Sequence, residues 1–83
     1  MLDQKRIDEI NNRVAEADLL HEFNKDTTRE YFRIVNAFYE EVNAVVGNPH
    51  SRHPHEADHL FMKLEARRVE LAAELGEEIE QEA

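Results

Sequence analysis

Four of the five histidines of this chain lie within ten residues, at His50, His53, His55 and His59. His55 and His59 are four residues apart, so that on a helix they lie one turn apart on the same face. Two imidazoles at this spacing can bind one transition-metal ion, and His50, His53 or a second chain would supply the remaining ligands. We expect no obligatory cofactor, and these four histidines are the candidate ligands for zinc or nickel. The alternative is that they are ordinary polar side chains of the surface.

The segment His55-Glu56-Ala57-Asp58-His59 also matches the H-E-x-x-H pattern, in which two histidines bind zinc and the glutamate acts as general base. Over these five residues the chain resembles the zincin metalloproteases. A protease of that family needs the motif within a helix that lines a cleft, together with a third zinc ligand. Here His55 falls at the start of a predicted helix, and both histidines point away from the apolar stripe of that helix. We therefore do not expect proteolysis.

Other catalytic arrangements are missing from the sequence. The chain has no cysteine, which excludes a thiol nucleophile, a disulfide and cysteine-ligated zinc. Ser51 is the only serine, and no strand-to-helix turn surrounds it. The two glycines, Gly47 and Gly76, are too far apart to form a phosphate-binding loop. We therefore expect that the protein is not an enzyme.

Composition limits the classes of protein to which the chain can belong. Its 83 residues fit one small domain, and 19 acidic against 10 basic side chains give a formal net charge of −9. Such a surface repels nucleic-acid phosphates and anionic lipids, so we expect neither nucleic acid nor a membrane as partner. The sequence lacks both a membrane span and the apolar stretch of a secretory signal, so we expect a cytoplasmic protein. An alternative for so acidic a chain is an inhibitor that mimics nucleic acid and fills a basic groove.

Apolar residues recur every three or four positions along most of the chain, which predicts three helices at about 3–22, 27–46 and 54–76 and no strand. The first two helices are joined by about four residues and should pack as an antiparallel hairpin. The third should return alongside them, so the expected fold is all-α, a single-domain three-helix up-down-up bundle. The acidic residues 77–83 should form a frayed tail, because negative charge at a helix C-terminus opposes the dipole. The predicted core comprises Ile10, Val14, Tyr31, Val35, Phe38, Val42, Leu60, Leu64 and Leu71, with Phe38→Ala expected to be among the most destabilising changes.

Local signals mark the starts of these helices. Asp3 is the predicted N-cap of the first helix. Thr27 and Glu30 have the spacing of a capping box at the start of the second, and Pro54 suits the first position of the third. On the first helix, Leu20 continues the predicted apolar stripe. His21 lies on the same stripe and is expected to be a half-buried, hydrogen-bonded core histidine at the opposite end of the bundle from His59.

The third helix has a second apolar face, opposite the one that should pack on the hairpin. Its members follow steps of four, three and four, the spacing of a helix–helix seam in a coiled coil. Leu19 and Phe23 likewise point away from the apolar stripe of the first helix. Alanines on an exposed helix face are the alternative explanation, since alanine favours helices anywhere. We expect a homodimer whose interface comprises Met62, Ala66, Val69, Ala73, Leu19 and Phe23, and a regulatory or adaptor function through binding to another protein.

Overall fold

The computed structural model describes residues 2–76, and the predicted tail over residues 77–83 lies outside this range. Within residues 2–76 the chain contains three α-helices and no strand, which confirms the all-α prediction. Each helix begins and ends within one residue of its predicted bounds. In chain order the elements are α1 (Gln4–Phe23), a single 3₁₀ turn (Lys25–Thr27), α2 (Thr28–Val46) and α3 (His55–Leu75).

The N-terminal cap of α1 agrees with the sequence prediction, and that of α2 does not. Asp3 caps α1, because its Oδ1 accepts a hydrogen bond of 2.9 Å from the backbone N–H of Arg6. The predicted capping box of Thr27 and Glu30 is wrong. The Thr27 hydroxyl instead donates to the backbone carbonyl of Asn24 at 2.7 Å and makes no cap bond to α2. The 3₁₀ turn between α1 and α2 therefore uses the hydroxyl that the capping box requires.

The third helix begins one residue later than predicted and ends at a glycine. Pro54 has an extended backbone conformation and precedes the helix, and its carbonyl accepts a 3.0 Å hydrogen bond from the N–H of Ala57. Gly76 has a φ of 70°. This left-handed conformation ends an α-helix and favours glycine, because it strains residues that carry a Cβ atom.

One face of each helix contributes to a single core. All of the predicted core residues are buried except Phe38, which is half-buried at the edge of the core with the Arg6 guanidinium 5.7 Å from its ring centre. Leu20 was predicted to face the core and is instead 62% exposed, whereas His21 is buried. The fully buried larger side chains are Tyr31, Ile7, Ile10, Leu64, Leu71, Val35 and Val42.

Polar contacts between the helices define their relative alignment. Arg6, near the start of α1, binds Glu41, near the end of α2. His21, near the end of α1, lies beside Glu74, near the end of α3. The start of α1 therefore lies next to the end of α2, and the ends of α1 and α3 lie together.

Across residues 2–76, no helix combines the length and the apolar character that crossing a membrane requires.

Candidate functional site

The histidine pair of α3 lies at the start of that helix, with both rings on its surface. The ring centroids of His55 and His59 are 5.0 Å apart and the ring planes are perpendicular. The side chain of His55 is 81% exposed, and His59 is exposed as well. Asp58 lies beside the pair, with its Oδ2 3.9 Å from His55 Nδ1. Both imidazoles are therefore accessible to an ion from solvent.

The other two candidate ligands have different surroundings. His53 is only 17% exposed at its side chain, and its Nε2 lies 3.2 Å from Oδ1 of Asp58. This contact ties the loop before α3 to the first turn of the helix. His50 lies on the exposed loop, where its backbone N–H donates to the side chain of Asn48 at 3.0 Å. In the part of the chain that the structure describes, no three histidine or carboxylate side chains are arranged to hold a metal ion.

Large apolar side chains are exposed on α1 and α3. Their exposure ranges from 42% for Val69 to 84% for Phe23. Ala66 and Ala73 are also exposed, so all six residues of the predicted interface lie on the surface. Leu20 is not among the residues predicted for the interface, because its spacing continues the apolar stripe of α1. The complete set of exposed large apolar residues in positions 2–76 is Leu19, Leu20, Phe23, Met62 and Val69.

The histidine pair and the apolar face of α3 form one continuous stripe. From His55 to Ala73 its members follow steps of four, three, four, three and four residues. At about 100° per residue, these positions fall within an arc of about 80°. The regular spacing that joins the histidines to the apolar residues is visible in the sequence, although the two groups are predicted as separate sites. We call this stripe the outer seam of α3, comprising His55, His59, Met62, Ala66, Val69 and Ala73.

A groove of about 360 Å³ separates α1 from α3 next to the outer seam. Ala15 of α1 and Ala66 of α3 lie on its two sides. Leu19 and Phe23 follow Ala15 at intervals of four residues and therefore continue its ridge along α1. The groove is lined by Val14, Ala15, Asp18, Tyr31, Lys63, Leu64, Ala66, Arg67 and Glu70.

A hydrogen-bonded network forms the floor of this groove. The Tyr31 hydroxyl and Nη2 of Arg67 both donate to Oδ1 of Asp18, each at 3.1 Å. The Arg67 guanidinium also lies 5.7 Å from the centre of the Tyr31 ring. Burial raises the pKa of Tyr31 to about 12, although the Arg67 charge acts in the opposite direction. Tyr31 is therefore protonated at neutral pH, and the network links the three helices.

His21 lies at the opposite end of the molecule and is 6% exposed, so it is a core histidine that is more deeply buried than predicted. The Thr28 hydroxyl donates its single proton to the backbone carbonyl of Lys25 at 2.6 Å. Its oxygen can therefore only accept from Nδ1–H of His21, which is 3.3 Å away. Nε2 of His21 lies 3.4 Å from Oε1 of Glu74, within ion-pair distance but without hydrogen-bond alignment. These contacts give His21 a structural role.

Comparisons of the chain with known protein families, with characterised proteins and with solved structures found no match. The surfaces of α1 and α3 are therefore the features of the molecule that bear on its function.

Proposed function

We propose that this protein is a non-catalytic, acidic helical protein that forms a homodimer through the outer seam of α3 and acts by binding another protein. The observation that carries the proposal is the exposed apolar surface of α3 and α1. Exposed large apolar side chains concentrated on two neighbouring helices are typical of interaction sites. The contacts of Arg6 with Glu41 and of His21 with Glu74 support an up-down-up arrangement of the three helices.

The outer seam has the composition of a helix–helix contact. Ala66 and Ala73 alternate with the larger Val69 and Met62, and small residues at this spacing allow two helix axes to approach closely. The opposite face of α3 already packs on the core through buried residues such as Leu64. The seam is therefore apolar for a reason other than the packing of its own chain.

The ridge of α1 extends the proposed interface beyond α3. Leu19 and Phe23 continue the line of Ala15 along the groove, and Ala66 lies across that groove. A second copy that covers the outer seam would also shield this ridge from water. Burial of apolar surface stabilises such a contact by roughly 25 cal/mol per Å² before the cost of association is subtracted.

Sedimentation velocity of paired glutamate variants tests the dimer. Ala66→Glu places a charge in the seam, where two copies of it would be buried at a two-fold interface. Ala37→Glu is the matched control, because Ala37 is also an exposed alanine within a helix but lies on α2. We expect native protein and the control to sediment near twice the chain mass of 9.8 kDa, and Ala66→Glu near one chain mass.

Two results would contradict the proposal. One is native protein that sediments as a monomer at tens of micromolar. The other is an Ala66→Glu variant that dimerises as well as the Ala37→Glu control. Circular dichroism of both variants establishes that they remain helical, so that a change in mass is not caused by unfolding.

A further inference from the structure

The histidine pair has the geometry of half a metal site. His55 and His59 lie one helical turn apart with ring centroids separated by 5.0 Å, and both are exposed. Zinc in proteins is usually bound by four ligands in a tetrahedron, and histidine nitrogen is one of its preferred donors. The pair therefore supplies two of the four ligands.

The same chain does not complete the set within residues 2–76, where no group of three such donors is arranged to hold an ion. His53, the nearest further candidate in sequence, is largely buried and contacts Asp58 at 3.2 Å. Two exposed imidazoles alone leave half of the coordination positions to water. A tight site therefore needs ligands from a second molecule.

A second copy of the chain that packs along the outer seam would supply the missing metal ligands. His55 and His59 continue the same four-and-three spacing as Met62 and Ala66, so a helix that packs along the seam also reaches the histidines. When two copies pack in parallel about a two-fold axis along α3, equivalent residues face each other. His55 and His59 of both copies then meet, and four imidazoles surround one point.

Flanking charges fit the parallel arrangement. Asp58 and Lys63 border the seam on opposite sides and are five residues apart. In parallel coiled coils, a residue that flanks the seam of one helix lies beside the residue five positions later on the other helix. Asp58 of each copy thus faces Lys63 of the other, whose ammonium group also donates to Oδ1 of Asn11 in its own chain at 3.3 Å. The corresponding like-charged pair is Glu65 with Glu70. Arg67 offsets part of this repulsion, because its Nη1 lies 2.8 Å from Glu70, although the same guanidinium also binds Asp18.

Asp58 lies close enough to His55 to become a ligand-orienting residue after a small side-chain rotation. Its Oδ2 lies 3.9 Å from Nδ1 of His55, within ion-pair range but beyond hydrogen-bond distance. A carboxylate on one ring nitrogen fixes the orientation of an imidazole and makes the other nitrogen a better metal ligand. In addition, a divalent cation between the chains reduces the repulsion between two molecules that each have a net charge of −9.

From these observations we infer that one zinc-like divalent transition-metal ion binds between two copies of the chain, through His55 and His59 of each. The inference rests on the proposed dimer. It specifies that the dimer is parallel along α3 and that metal strengthens it.

The test measures self-association of tag-free, chelator-treated protein by sedimentation velocity, with and without added zinc chloride. We expect zinc to lower the dimer dissociation constant by at least about tenfold, with one zinc bound per two chains by calorimetric titration. The double variant His55→Ala, His59→Ala should lose the zinc effect, which is measured against the metal-free dissociation constant of the same variant. His50→Ala is the matched control and should behave as the native protein, because His50 lies on the exposed loop.

Failure of this inference differs from failure of the proposed function. A dimer that forms without metal and that zinc neither binds nor strengthens overturns the inference and leaves the dimer intact. One zinc per chain on a monomer also overturns it, since the second copy then contributes no ligand. A protein that is monomeric with and without zinc overturns both.

Discussion

The guanidinium of Arg6 binds both carboxylate oxygens of Glu41, through Nε and Nη2, with both distances at 2.7 Å. The pair joins the first turns of α1 to the last turns of α2, and the same guanidinium covers the ring of Phe38. The Arg6 hydrogen bond holds the pKa of Glu41 below its usual value. Both side chains are more than a third exposed, so solvent screens their attraction.

The first prediction concerns the loss of folding stability at acid pH. The pKa of Glu41 is lower in the folded chain than in the unfolded chain. Its pairing with Arg6 therefore stabilises the fold at pH values above 4.5, the ordinary pKa of a glutamate. This stabilisation is lost as the pH falls through the lowered pKa. Glu41→Gln should therefore reduce the melting temperature near neutral pH and have little effect in strong acid. Glu40→Gln, at an exposed neighbouring position, should reproduce the native pH profile, and an equal loss in both variants would contradict the role of the pair.

A second prediction concerns the loss of folding stability at alkaline pH. The pKa of Tyr31 is raised from 10.0 to about 12 by burial, so stability is full below pH 10.0 and is lost as the pH rises toward 12. Tyr31→Phe should cost about 1 kcal/mol at neutral pH through the lost bond to Asp18, and it should reduce the alkaline loss. Urea unfolding across this range measures both effects. Tyr39→Phe should retain the native alkaline loss; if it also reduces that loss, Tyr31 is not its source.

Truncation to alanine should reduce the free energy of unfolding more at Leu64 than at Phe38. Leu64 is fully buried, so Leu64→Ala should cost about 2–5 kcal/mol. Phe38→Ala should cost less than Leu64→Ala, because the Phe38 ring is only half-buried and lies under Arg6. Chemical denaturation of the two variants gives the ranking. The opposite order would support the sequence-based expectation that Phe38 is central.

Thr28 and Thr27 provide a matched test of the His21 contact. Thr28→Val keeps the side-chain shape but removes the acceptor for Nδ1–H of His21, leaving a buried donor unpaired at a cost of about 1–3 kcal/mol. Thr27→Val removes a hydroxyl that also donates to a backbone carbonyl, at a less buried position. We expect the smaller loss of unfolding free energy for Thr27→Val. Equal losses would mean that the contact with His21 contributes nothing.

Salt should strengthen the proposed dimer. Each chain has a net charge of −9, so association brings like charges together, and added salt screens that repulsion. Sedimentation equilibrium of the metal-free protein at low and high ionic strength measures the dissociation constant, which we expect to fall with salt. The alternative function, an acidic mimic in a basic groove, predicts that salt weakens binding to its partner. A dimer that dissociates on addition of salt would indicate that ion pairs, not the apolar seam, hold it together.

The sequence by itself determined the helices and the faces that they bury. Spacings of three and four depend only on the geometry of one helix, which is why the core positions Ile10, Val35 and Leu64 were identified correctly. The same geometry placed Met62 and Val69 outside the core. The cap by Asp3 was also predictable, because donor and acceptor are three residues apart.

Tertiary structure alone decided how the helix ends meet. His21 is buried and the neighbouring Leu20 is 62% exposed, although both residues lie near the edge of the same apolar stripe of α1. The ion pair of Arg6 with Glu41 joins residues 35 positions apart. Such contacts depend on the relative placement of whole helices, and that placement is set by packing of the complete core, which no local spacing encodes.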